Sequence, residues 1–253
     1  MRRPWRIEAV TPERGDATTL TLAPVGHPGI RFAPGQFGWL TVDRSPFAIT
    51  AHPFSFSSSA EDHDGVAITI KALGDFTATV GDIAPGTRAY LDGPHGVFTP
   101  DRNEGPGFVL IAGGVGITPM VSILRTMADR GDRRPFLLLY AVRTVAEQTF
   151  DAEIDALSRR LDLTVVLVPQ DPAARMAGRV GVRRRRAAAA APARPARAPA
   201  VLHLRPGADG DRRRGRPRRP GRPGRTRAHR TLHLRLTREA PSCATPTPHA
   251  PCG

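Results

Sequence analysis

The fold class predicted by these 253 residues is an N-terminal antiparallel β-barrel followed by a truncated α/β unit with a doubly wound parallel sheet. Three observations carry it. Short segments over residues 1–100 alternate apolar and polar residues at period two. After Gly105-Pro106-Gly107 the pattern changes to near-continuous apolar runs separated by helically spaced ones. In between, Gly107–Met120 runs an apolar strand into a turn with three glycines, and Pro119 follows where a helix could begin.

The barrel strands are expected in order at Thr18–Leu22, Gln36–Val42, Phe54–Ser58, Val66–Lys71 and Arg88–Asp92, with Pro34-Gly35 and Pro85-Gly86 as turns. Past Pro119, Met120, Ile123, Leu124 and Met127 mark a first helix that Gly131 would cap. Phe136–Tyr140 is a second strand. Phe150, Ile154, Leu157 and Leu161 mark a second helix, and Leu163–Val168 a third strand. This βαβαβ order is half of a nucleotide-binding sheet, whose ligands sit at the carboxyl ends of the strands. Phe108 to Leu124 is uncharged, but its glycines and Pro119 divide it into strand and helix, so it reads as core and not as a membrane span.

Charge is distributed unevenly. Residues 181–253 hold 19 arginines and 3 acids, a net +16, whereas 1–180 hold 18 basic and 20 acidic residues, a net −2. Both cysteines, Cys243 and Cys252, lie in that tail, so the first 180 residues carry no disulfide framework or thiolate metal site, and no metal is expected. The N-terminus has no apolar signal segment. These features fit a cytoplasmic chain, with a place at the inner face of a membrane as the alternative.

Two stretches interrupt simple barrel patterning. His52-Pro53-Phe54-Ser55 combines a cation-capable ring, a rigid bend, an aromatic face and a hydroxyl. Lys71–Gly81 ends a strand in lysine, turns at Gly74 and opens a short helix near Thr77, whose first N–H groups could meet an anion. Each has a plainer alternative: a surface histidine, a core phenylalanine, an ordinary capped helix.

Taken together, and in this order, the motifs resemble the ferredoxin–NADP reductase superfamily over about Arg3 to Gly178, most of all the cytosolic flavoprotein half of ferric reductases and NADPH oxidases. The resemblance implies FAD and NAD(P)H as cofactors, with a hydride passing from NAD(P)H to the flavin and single electrons onward to haem, ferric iron or an iron–sulfur protein. It implies that Phe54 packs on the isoalloxazine, that Ser55 sits near the flavin's reactive nitrogen as the catalytic hydroxyl, and that His52, beside Pro53, approaches the FAD phosphates. Gly74, Phe76 and Thr77 of Gly74-Asp75-Phe76-Thr77 would bind the pyrophosphate, with Thr69, Ile70 and Lys71 alongside. Gly93, Pro94 and Gly96 match the turn linking the two domains near the flavin. Gly113, Gly114, Gly116, Thr118 and Pro119 match the nicotinamide-nucleotide turn. Arg143, in Tyr140-Ala141-Val142-Arg143, stands where the family meets the adenosine half.

The expected organisation is therefore a FAD-binding barrel over 1–100, a partial NAD(P)-binding unit over 105–180, and a basic tail over 181–253. That tail lacks Phe, Tyr, Trp, Ile and Lys and is rich in Arg, Ala, Pro and Gly, a composition expected to be disordered. It also lacks the family's Cys-Gly-Pro-x-Pro-Met turn and terminal aromatic. Back-translated with free third bases and read one nucleotide later, Val201–Gly210 permits Phe/Tyr-Phe-Ile-Cys-Gly-Pro-x-Pro-Met. The expectation is a frameshift near Gly178–Arg183, with impaired use of NAD(P)H. The rival function, a nucleic-acid-binding protein with an arginine tail, lacks interleaved aromatics and lysines.

Overall fold

A computed structural model describes residues 3–43, 51–170, 182–185 and 200–203. Six antiparallel strands form the first sheet: β1 (Arg3–Glu13), β2 (Ala17–Pro24), β3 (Phe37–Val42), β4 (His52–Ser55), β5 (Val66–Lys71) and β6 (Arg88–His95). Their order is β4-β3-β6-β1-β2-β5. The two edge strands come together just past β4 at one bridge, Phe56 against Ile68, so the sheet curls into a barrel. Side chains pointing inward, including Trp5, Leu20, Leu40, Phe56 and Ile68, are fully buried and fill it.

The expected barrel strands all form, within a few residues at their ends. The 11-residue β1 was not anticipated. Its alternation is broken by prolines at both ends and by a register shift between Ile7 and Ala9, so period two does not persist in the sequence.

The second sheet has the order β10 (Val182–Arg185), β9 (Leu163–Pro169), β8 (Phe136–Val142), β7 (Phe108–Gly113), β11 (Ala200–His203). Strands β7, β8 and β9 pair in parallel, in steps connected by α2 (Ile117–Asp129) and α3 (Asp151–Leu157). A one-turn helix, α1 (Asp75–Ala78), belongs to the barrel. Helix α2 ends as predicted at Gly131, with φ at +65°. There the Gly131 N–H donates to Ala128 and the Asp132 N–H to Met127, which satisfies the last carbonyls.

In β7, β8 and β9 buried residues alternate strictly with half-buried ones, although the runs are near-continuously apolar in sequence. Right-handed crossovers moving in one direction along a sheet put both helices on the same face, and α2 packs on α3. The connection that turns back past β7 is the one that covers the other face in a doubly wound sheet. Apart from β10, it lies outside the described residues.

Two strands fall in the tail that was expected to be disordered. β10 (Val182–Arg185) pairs antiparallel with β9, and β11 (Ala200–His203) pairs in parallel with β7. The expectation fails at these two places; the rest of the tail lies outside the described residues.

Candidate functional site

Two loops at strand ends and one group of rings define the site. The rings belong to His52 and Phe54 on β4 and Phe76 on α1. His52 lies on Phe76 with centroids 4.4 Å apart and planes 5° from parallel, and Phe54 is 6.3 Å from both. All three side chains are half-buried, so a ring surface remains open to a flat partner. The barrel thus brings together two motifs that lie some twenty residues apart in sequence.

Thr77 turns its hydroxyl inward to its own loop. It accepts from the Leu73 N–H at 2.9 Å and the Gly74 N–H at 2.8 Å and donates to the Gly74 carbonyl at 3.0 Å. Its role is to fix the loop's shape, and what the loop offers a ligand is backbone. Thr69 and Ile70 are likewise committed to the interior. Thr69 is 3% exposed and bonded to Thr19 and Ser57, and Ile70 is core, so neither side chain reaches the surface. Lys71, at the strand end, is half-buried and lies close enough to Glu147 to stabilise its charge.

The glycines separate by physical need. Gly93 and Gly96 have structural reasons to lack a side chain: a Cβ on Gly93 would come within 3.2 Å of the β3 backbone, and one on Gly96 within 3.2 Å of the Phe37 ring. Gly114 has φ at +50°. Gly74, Gly113 and Gly116 are different. Their φ values are −160°, −133° and −61°, which any residue adopts, and a Cβ on any of them meets no atom within 4 Å. Glycine costs about 0.5–1 kcal/mol relative to alanine inside regular structure. Neither packing nor φ accounts for it at these three positions. A backbone left open to close approach is what a phosphate-bearing cofactor requires, so the residues present fit such cofactors at both turns.

The Gly113 turn lies at the carboxyl end of β7, and the first N–H groups of the 13-residue α2 follow it without a side-chain cap. The buried Thr118 donates to the Val115 carbonyl at 2.9 Å, and Pro119, also buried, sits in the first helical turn. Barrel strand β5 packs against this turn. The expected linking turn over Gly93–Gly96 is mostly strand: Gly93 and the half-buried Pro94 belong to the end of β6, and only Gly96 lies past it, its carbonyl accepting from Gln36 at 2.9 Å. Nearby, the buried Nε2 of His95 is 3.9 Å from Asp92, too far for a hydrogen bond.

At the end of β8 the expected nucleotide contact divides. Tyr140 is fully buried, and burial pushes its phenol pKa up, so it is core. Arg143 is exposed and donates to Glu147 at 2.9 Å, which holds the Glu147 carboxyl below its ordinary range. Phe37, Gln36 and Glu147 were not singled out from sequence. Only the strand register and the short turn Val145–Glu147 after β8 bring them to the site. Among the described residues no group of His, Cys, Asp and Glu could hold a metal, and no helix is long and apolar enough to cross a membrane.

Residues 110–193 match the Oxidoreductase NAD-binding domain family. The chain is 33% identical over 165 residues to the reductase component of propane 2-monooxygenase from Rhodococcus jostii, covering 64% of this chain and 44% of that protein. It is 29% identical over 167 residues to the ferredoxin reductase component of 3-ketosteroid-9-alpha-monooxygenase from Rhodococcus rhodochrous, covering 64% and 47%. The flavohem-like FAD/NAD binding domain of nitric oxide dioxygenase from Vibrio cholerae superposes with a TM-score of 0.60 at 24% identity, over 67% of this chain and 74% of that one. The chain thus spans under half the length of the curated relatives it matches.

Proposed function

We propose that this chain is a member of the ferredoxin–NADP reductase superfamily and acts as the flavin-holding reductase that takes electrons from NAD(P)H and delivers them to an oxygenase or iron–sulfur partner. The observation that carries this reading is the trio Gly74, Gly113 and Gly116, bare without internal cause, in a chain that also groups the His52, Phe54 and Phe76 rings. Bound FAD would accept two electrons at once and release them singly.

The chain's own residues bind and orient. Phe54 and Phe76 give a flat apolar surface with Ser55 beside it on β4, and His52 offers a ring nitrogen to a phosphate. The loop shaped by Thr77 presents the backbone of Gly74, and Lys71 adds positive charge at its edge. The Gly113–Gly116 turn and the start of α2 offer N–H groups to the second nucleotide. The sequence motifs leaned towards ferric reductases. The relatives above are reductase components of oxygenases, and the proposed partner follows them.

The purified full chain is expected to be yellow with a flavin spectrum and to bleach anaerobically with NADH or NADPH, but slowly, because the off-frame tail impairs nucleotide use. Phe54→Ala should lose flavin. A colourless wild-type protein, or equal FAD content in both, would overturn the assignment.

We also infer that the tail beyond Gly178–Arg183 is read off-frame. What supports this is β11, which occupies the place beside β7 where the back-translated motif at Val201–Gly210 would begin. Resequencing the gene tests it, and an uninterrupted frame with no base discrepancy would remove a sequencing error as the cause.

A further inference from the structure

The segment Ser57-Ser58-Ser59-Ala60 begins one residue past β4, after Phe56, and helix α2 directly follows the Gly113 turn. These two stretches hold each other. Ser122 donates from Oγ to the Ser58 carbonyl at 2.8 Å, with both residues buried. Thr126 accepts from the Ala60 N–H at 2.8 Å and donates from its hydroxyl to the Ser122 carbonyl at 2.8 Å. Arg125 donates to the Ser57 carbonyl at 2.6 Å. Positions 122, 125 and 126 share one helical face, so a single side of α2 grips three of the four residues.

Arg125 reaches furthest. Its guanidinium also makes a two-point pair with Glu153 of α3, at 2.6 Å through Nε, and lies over the Phe150 ring at 5.5 Å. Ser57 in turn accepts from Thr69 of β5 through its hydroxyl. One arginine therefore ties the backbone just past the ring site to both helices of the parallel sheet. A charged donor on a carbonyl in a half-buried seam is a strong and directional bond, and the paired carboxylate fixes the plane of the fork.

We propose that Arg125 is a positioning residue for electron transfer: through Ser57 and Glu153 it sets the register of the Gly113 nucleotide turn against the flavin-side residues His52–Ser55. This rests on the reading of the chain as a flavin reductase. Donor and acceptor must approach closely with the correct alignment, and a displacement of 1 Å can cost as much as about a hundredfold in rate. The arginine touches neither cofactor surface, so its removal should leave both binding sites formed and disturb only their mutual placement.

The experiment compares wild type, Arg125→Met and Arg125→Lys in the full chain. It measures flavin content, nicotinamide-nucleotide affinity, the rate constant of flavin reduction, the long-wavelength charge-transfer absorbance on adding nucleotide, and amide exchange over 57–60. Arg125→Met should keep its flavin and bind nucleotide within about twofold of wild type. It should reduce the flavin at least tenfold more slowly, lose the charge-transfer absorbance and exchange faster at 57–60. Arg125→Lys, which can still reach the Ser57 carbonyl, should recover part of each. If Arg125→Met loses flavin or unfolds, Ser122→Ala must show slowed reduction with full flavin, or the proposal fails. Reduction at the wild-type rate with unchanged absorbance overturns the positioning role alone. A wild-type chain that holds no flavin, or whose flavin NAD(P)H does not reduce, overturns the flavin-reductase reading and this role with it.

Discussion

The two sheets of this molecule complete their cores differently. The barrel curls on itself and encloses Trp5, Leu20, Phe56 and Ile68 within residues 3–95. The parallel sheet cannot curl in this way. It gets one covered face from α2 and α3, and along β7, β8 and β9 every second residue stays half-buried. An antiparallel sheet built from neighbouring segments can close locally, whereas a doubly wound sheet depends on each crossover that follows. Loss or alteration of the end of the chain should therefore cost the nucleotide half far more than the flavin half.

Replacing Phe56, fully buried at the bridge that closes the barrel and 4.6 Å from Phe32, is the most severe test of the first sheet. Phe56→Ala should cost about 3–5 kcal/mol and reduce flavin content, as read by denaturant unfolding and absorbance. Leu110→Ala on the covered face of β7 should cost about 2–5 kcal/mol. The same truncation at the half-buried Leu137 should cost clearly less. Equal losses in the two variants would show that both faces of the parallel sheet are packed alike.

The seam between the sheets gives a smaller effect. Gly15 has φ at +76°, and a Cβ there would lie 2.5 Å from the Glu147 carbonyl oxygen. Gly15→Ala should destabilise by about 1–3 kcal/mol from backbone strain alone. Gly74→Ala should leave the unfolding midpoint unchanged while weakening flavin retention, since it meets no protein atom. A matching loss of stability at Gly74 would contradict the ligand explanation for that glycine.

The smallest expected effect is acid sensitivity of the same seam. Burial raises the Asp129 pKa, but bonds from Ser59 and Arg160 outweigh it, and the carboxyl is held below 3.8. The unfolded chain then binds the proton more readily. The contribution is complete above pH 3.8 and is lost as the pH falls through the lower folded value. Asp129→Asn should flatten that part of a stability–pH curve, measured by urea unfolding.

The cofactor motifs were legible as sequence because turns that approach a phosphate need glycine and a helix start, and both leave marks in a single stretch. The strands of 17–95 and the βαβαβ order were legible because each element carries its own period. Other features were not. Thr69 and Ile70 sit in a motif by position, yet their side chains belong to the barrel core, which only the strand's facing decides. Phe37 and Gly96 meet through strand register, and Glu147 meets Arg143 through a turn.

Periodicity and turn chemistry are local, so the order of residues alone carried the two sheet types and the glycine turns proposed to receive two nucleotides. Tertiary structure alone decided which glycines are free of internal contacts, and that Arg125 and the Ser57–Ala60 segment join the two halves. Those are relations between residues some sixty to seventy positions apart, and no short-range pattern encodes them.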